Sequence, residues 1–191
     1  VRRASPEFTD TIKHAECTQP YQPHCTNNLN LISAHNGYLE NYQQLKNQLK
    51  AKHHFESEPI KLIDSEIIPH YYEEQLTKTG DPTKAAHALY EQTQGRNTIV
   101  TLHTETNQAD LNVIQKGKTR GLTIWTNPDN EILLCSREKP AMATFSKLLK
   151  ENNYQKIIHI TRNDSANLEA HFTLGFTQHS KRHAYQHGTS R

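Results

Sequence analysis

The chain has 191 residues, 34% of them hydrophobic, which is enough for one domain with a buried core under a polar surface. Lys+Arg number 22 against 20 Asp+Glu, a formal net charge of +2, and the charges are interspersed, so no basic face argues for nucleic acid. There is no run of roughly 18 apolar residues and no apolar stretch after Arg2-Arg3, so neither a membrane span nor a secretory signal is expected. Three cysteines close no even disulfide set, and the expectation is a reducing, cytoplasmic setting.

Residues 1–28 read as irregular, with Pro6, Pro20 and Pro23. The apolar run that follows predicts a buried strand over 29–35, ending in Asn36-Gly37. Leu39, Tyr42, Leu45 and Leu49 recur at helical spacing and predict a helix over 38–52. A strand that ends in Asn-Gly and opens a helix sets a polar side chain and free N–H groups at one point, which suits holding an amide or an oxyanion. Ile67, Ile68, Tyr71, Tyr72 and Leu76 predict a helix over 65–78, with Pro69 calling for a late start or a kink. Asp81-Pro82 is an N-cap followed by proline at the first helical position, opening a helix that Gly95 closes.

The period then changes to that of strands, predicted at 98–103, 109–115, 121–126 and 131–136, with Asn127-Pro128-Asp129-Asn130 as a hairpin turn. Pro140 opens a helix to Glu151 with Met142, Phe145, Leu148 and Leu149 on one face, and a strand follows over 156–161. Beyond Leu174 the tail is rich in Gln, His and Arg and is expected to fray. Helices followed by hairpin-linked strands give an α+β class, with one domain over 1–176 and a polar tail over 177–191.

His14, Cys17, His24, Cys25 and His35 lie near one another in sequence, but their spacing matches no metal-binding pattern. With 13 histidines in the chain a chance grouping accounts for it, and neither a metal nor a cofactor is expected. Lys116-Gly117-Lys118-Thr119-Arg120 reads as a tight hairpin with solvated charges, lacking the glycine-rich loop and helix of a phosphate-binding loop. Ser136-Arg137-Glu138-Lys139 reads as a solvated turn, Trp125 as core, and Cys135 as a small buried hydrophobe.

Ala34-His35-Asn36-Gly37-Tyr38-Leu39-Glu40-Asn41-Tyr42, then Leu45, Leu49 and Ala51, then Asp64-Ser65-Glu66-Ile67-Ile68 and Glu73-Glu74, resembles the class II glutamine amidotransferase domain. The pattern is nearest to the glutaminase half of glucosamine-6-phosphate synthases. It is strong over 29–76 and weaker through 82–94, 97–115 and Lys116-Gly117. The resemblance implies a layered αββα fold of the N-terminal-nucleophile (Ntn) hydrolase kind. In that family a cysteine at the first residue attacks the side-chain amide of glutamine, its α-amine serves as base, and ammonia passes to a synthase partner, here of the sugar-isomerase kind. By resemblance Asn36 donates its side-chain amide to the oxyanion and Gly37 its backbone N–H. Asp64 binds the α-ammonium of glutamine, His14 helps to hold its carboxylate, and Pro23-His24 falls on a His-Pro-His segment.

Two departures stand out. Asp10 falls where the family has its carboxylate-binding Arg, and Ala15 where it has Gly. The chain begins at Val1, which has no nucleophile, so the fold is expected to be incomplete at its N-terminus and the chain alone inactive. The alternative is a non-catalytic relative that binds glutamine or another amino acid, or serves as an interaction module; a third is a metal-binding or interaction protein that shares the architecture only.

Overall fold

The structure, a computed structural model, describes residues 4–23, 25, 30–49, 53–105, 108–129 and 131–161, and the backbone alone of 169–177 and 183–189. The elements in chain order are β1 (Asn30–Leu39), α1 (Tyr42–Gln48), α2 (Asp64–Thr79), α3 (Pro82–Gln92), β2 (Gly95–Glu105), β3 (Gln108–Lys116), β4 (Leu122–Thr126), β5 (Ile132–Cys135), α4 (Glu138–Glu151), β6 (Gln155–Ile160), β7 (Glu169–Thr177) and β8 (His183–Thr189). Two short 3-10 turns, Pro6–Thr11 and Ala15–Cys17, precede them.

The strands form two antiparallel sheets, a five-stranded one in the order β1-β2-β3-β7-β8 and a three-stranded one in the order β5-β4-β6. Alternation along the strands sends successive side chains to opposite faces, and three apolar clusters follow from it. Ile99 and Ile114 of the large sheet, with Leu31 and Leu39 of β1, pack under α1, α2 and α3 through Leu45, Ile67, Ile68, Tyr72 and Leu89. Their neighbours Val100, Leu111 and Val113 point the other way and meet Leu122, Ile124 and Ile160 of the small sheet. The far face of the small sheet buries Trp125 against Ala141 and Leu149 of α4. Helices, sheet, sheet, helix: the three clusters are the three interfaces of an αββα sandwich.

Several elements extend beyond the sequence-based expectation. β1 does not stop at Asn36-Gly37; it runs on to Leu39, with Asn36 opposite Thr98 and Gly37 opposite Asn97 of β2. The helix expected over 38–52 is accordingly shorter and starts at Tyr42. α2 starts at Asp64 and passes through Pro69 unbroken, and it ends at Gly80 in the left-handed conformation (φ 62°) that glycine adopts without cost. Gly95 does not close α3 but opens β2. In the region read as a fraying tail, residues 183–189 pair with β7 as the outer strand of the large sheet.

The first segment of the chain is bound along the edge strand β1. Tyr21 and Ser33 exchange backbone hydrogen bonds of 2.9 and 2.8 Å. Two residues earlier, the Gln19 side-chain amide pairs with the His35 backbone as a peptide would: its Oε1 accepts from His35 N–H and its Nε2 donates to His35 O at 2.9 Å. These contacts occupy the open edge of the sheet. Phe8 and Cys17 are buried in the helix-side core, which fixes the segment over the site described next.

Candidate active site

Asn36 and Gly37 lie on the exposed part of β1, and Asp64 is the first residue of α2. All three line one cavity of about 590 Å³, together with Ser5, Gln19, Ser65 and Arg120. Asn36, Gly37 and Arg120 also border a wider cleft of about 1310 Å³, whose charged lining includes Arg96, Lys118, Arg137 and Glu138. The Asn-Gly pair is thus a ridge between two concavities.

Gly37 is required by packing. A Cβ at this position would lie 2.0 Å from Arg96 O and 2.9 Å from Asn97 Cα on the neighbouring strand. Only glycine lets β2 approach this closely.

Asp64 is held by the fold as a buried carboxylate. Its Oδ2 accepts from Leu39 N–H at 2.8 Å, and Ser65 Oγ lies 3.3 Å from its Oδ1. Its place in the first turn of α2 sets its charge at the positive end of the helix dipole. A carboxylate has about four lone-pair sites, so acceptor capacity remains toward the cavity.

Behind it lies a closed polar network. His35 Nε2 is 2.9 Å from Asn97 Oδ1, and Asn97 Nδ2 donates to Gln94 O at 2.9 Å, which makes Oδ1 the acceptor and puts the imidazole proton on Nε2. His35 Nδ1 then accepts from Ser65 Oγ at 2.9 Å. Burial disfavours the imidazolium and holds His35 below its ordinary range, against the opposing pull of Asp64 at 3.8 Å and of Asn97. Glu66 points away from the cavity. It accepts from the backbone N–H groups of Glu56 at 2.6 Å and Ser57 at 3.1 Å, and so fixes the loop that leads into α2.

The front wall is tied down by Glu7, which accepts from Tyr38 Oη at 2.5 Å and from Tyr42 Oη at 2.9 Å. That bond to the carboxylate, aided by partial burial, pushes the Tyr38 phenol up to about 12. His14 is exposed and lines neither concavity. Asp10 is likewise exposed, lies 3.5 Å from Lys61 Nζ, and does not face the cavity where a substrate carboxylate would sit.

Residues 10–142, more than half of the chain, match the glutamine amidotransferase domain. The chain belongs to this family. The glutamine–fructose-6-phosphate aminotransferase (isomerizing) of Helicobacter pylori is 42% identical over 82 residues, and that of Sulfurisphaera tokodaii 33% over 79 residues. These stretches cover 42% and 41% of this chain but only 13% of each relative, so the chain corresponds to a small part of the curated relatives' length. Two solved structures share the fold at 17% identity and cover 90% of the chain. One is the allosteric regulatory enzyme of purine biosynthesis (TM-score 0.55); the other is the glutamine phosphoribosylpyrophosphate amidotransferase of B. subtilis with ADP and GMP (TM-score 0.52). The chain spans 31% and 32% of those proteins. The likeness agrees with the αββα layering read from the three clusters, and the fold is that of the Ntn-type amidotransferases.

Several residues of the site escaped the sequence reading. Arg120, read as a solvated hairpin charge, stands at the cavity wall. Lys116 of the same hairpin is spent elsewhere: its ammonium donates to Tyr90 O at 2.7 Å and Thr93 O at 2.8 Å, closing the C-terminal end of α3. Gln19 and Asn97 carry no motif, and Ser65 stands in the Asp64-Ser65-Glu66 stretch without a role there; the parts of all three emerge from the hydrogen bonds they make. Of the five residues grouped near the N-terminal end, Cys17 joins the core and lines the cavity, His35 joins the network, and His14 and Cys25 are separated from them. His24 lies outside the described residues. Among the described residues no helix is long and apolar enough to cross a membrane.

Proposed function

We propose that the cavity between β1, the first turn of α2 and the segment around Ser5–Gln19 is a glutamine site, and that the domain serves to release glutamine's amide nitrogen as ammonia for a synthase partner. The observation that carries this reading is the convergence of Asn36, Gly37 and Asp64 on one cavity. An amide substrate needs two neutral donors where its carbonyl oxygen becomes an oxyanion; Asn36 Nδ2 and Gly37 N–H are such a pair. An α-ammonium in a partly dry pocket needs a carboxylate with spare acceptor capacity, which Asp64 provides. Arg120 is the cation placed to meet the α-carboxylate, and His14 and Asp10 take no part.

The reaction consumes water and glutamine and yields glutamate and ammonia, and it needs a nucleophile with a base beside it. Cys17, the described cysteine at the cavity wall, sits inside the chain and has no α-amine next to its thiol. It is therefore not the attacking group. The likeness to isomerizing aminotransferases of fructose 6-phosphate favours a partner of the sugar-isomerase kind, as a domain or a subunit.

Calorimetric titration with glutamine tests the site. Wild type binds; Asp64→Asn binds about tenfold to a hundredfold more weakly, the equivalent of about 1.5–3 kcal/mol for a charge-assisted bond; Arg120→Gln weakens binding as well. Equal affinity in all three removes the cavity from consideration as the glutamine site.

A further inference from the structure

α2 carries a second buried cluster beyond its first turn. His70 and Glu73 are spaced i, i+3 and so share one face of the helix, and both are buried. Opposite them stand His53, from the loop between α1 and α2, and Cys25, from the segment before β1. One ligand atom from each of the four lies within 4.8 Å of all the others. His53 Nδ1 is 3.2 Å from His70 Nδ1 and 3.6 Å from a Glu73 carboxylate oxygen, and Cys25 Sγ is 3.5 Å from His70 Nδ1. A tetrahedral Zn²⁺ with ordinary bond lengths spaces its N, O and S ligands about 3.3–3.6 Å apart.

The outer groups fit the same chemistry. Glu74 Oε2 lies 3.3 Å from His53 Nε2. A carboxylate only accepts, so it keeps the proton on Nε2 and turns the Nδ1 lone pair into the cluster. This is the carboxylate behind the histidine that orients zinc-bound imidazoles. Cys25 Sγ accepts from His54 N–H at 3.1 Å, which holds the sulfur toward the cluster. A cysteine sulfur, a carboxylate and two imidazoles converging in a place where His70 and Glu73 are buried and Cys25 is half-buried make a donor set suited to a cation at their centre. Cys25 lines neither concavity, so its thiol does not face an amide held at Asn36.

We propose that Cys25, His53, His70 and Glu73 form a structural Zn²⁺ site, closed by four protein ligands, that clamps the segment before β1 and the α1–α2 loop onto α2. The helix so anchored is the one that carries Asp64 and Ser65 to the candidate active site. The site stands on its own geometry and does not depend on the glutamine reading.

The test uses the purified 191-residue chain stripped with a chelator. Titration with Zn²⁺ against a chromophoric chelator is expected to show one tight equivalent per chain. Co²⁺ in its place is expected to give the strong visible bands of a tetrahedral ion and a thiolate-to-cobalt charge-transfer band. Cys25→Ser abolishes the charge-transfer band, whereas Cys135→Ser leaves it. Since His70 and Glu73 are buried and their variants risk unfolding, Glu74→Gln supplies the second arm: Zn²⁺ affinity falls about 10–100-fold while the tetrahedral spectrum persists. Zn²⁺ also raises the melting temperature of wild type but not of Cys25→Ser. A weak octahedral cobalt spectrum indifferent to Cys25→Ser would assign the metal to scattered histidines and overturn the proposal. So would a folded wild-type chain that takes up no Zn²⁺ equivalent. None of these readouts involves glutamine.

Discussion

At the first turn of α2, Asp64 accepts from Leu39 N–H, and Ser65 sits between His35 and Gln19, each donor meeting an acceptor. Further along the same helix, His70 and Glu73 stand with His53 and Cys25 so that electron-pair donors face one another at metal-ligand spacing. The first arrangement is complete as folded protein. It forms a stiff wall whose remaining acceptor capacity is turned to the cavity. The second is completed by a cation. Buried polar groups therefore do two jobs on one helix: paired, they position a site for an organic ligand, and converging, they make a clamp.

The largest expected effect breaks the first arrangement from the strand side. Gly37→Ala puts a Cβ 2.0 Å from Arg96 O, so β1 and β2 must separate. Urea unfolding is expected to show a loss of about 3 kcal/mol, and glutamine binding is lost with it. Unchanged stability would mean that the strands are not this close.

Next comes a substitution that separates the two regions. Asp64→Asn is expected to lower glutamine affinity by about ten- to a hundredfold while Zn²⁺ affinity stays at the wild-type value, because the cluster does not include Asp64. Parallel calorimetric titrations with the two ligands read this directly; a joint loss would show that the helix responds as one unit.

A smaller effect is set by pH. His35 is held below its ordinary value by burial, with Asp64 and Asn97 opposing. The unfolded chain therefore takes up its proton first. The stability this group contributes is present above the unfolded value of about 6.5 and is lost as pH falls below it toward the lower folded value. Its slope is at most about 1.4 kcal/mol per pH unit. His35→Gln is expected to flatten that part of the acid limb in unfolding measured across pH, compared with wild type in the same buffers. A limb of unchanged steepness would place the titrating group elsewhere.

The smallest effect concerns Asp10. Its pairing with Lys61 is exposed, with side chains 68% and 36% accessible. Asp10→Arg is expected to change stability by no more than about 0.5 kcal/mol and to leave glutamine affinity as it was. A clear gain in affinity would return Asp10 to the substrate carboxylate.

Local signals in the sequence carried much of the fold. Asp81 does cap α3, accepting from Thr83 N–H at 2.9 Å and Lys84 N–H at 3.2 Å, as Asp-Pro predicts. Trp125 is core, and the strand–turn–strand over β4 and β5 is where alternation placed it. Where pairing overrides local preference, the sequence reading stopped short. Asn36-Gly37 is turn chemistry, yet β2 holds it in a strand because the register continues to Leu39 opposite Gly95. At Gly95 the same ladder explains why a helix-stop residue begins a strand.

The site was legible in its motif and opaque in its surroundings. Asn36, Gly37 and Asp64 are contiguous or follow a familiar spacing, whereas Gln19 and Arg120 reach the cavity from distant segments and Asn97 stands behind it through His35. The metal cluster is of the second kind. Its only local trace is the His70-x-x-Glu73 spacing on a helix face; Cys25 and His53 join through tertiary packing alone.

A crystal structure of the chain saturated with glutamine tests the central claim most directly. The account predicts the ligand's α-ammonium on Asp64 and its side-chain carbonyl oxygen facing Asn36 Nδ2 and Gly37 N–H. Glutamine bound with its amide away from Asn36-Gly37, or in a place that Asp64 does not touch, would contradict it.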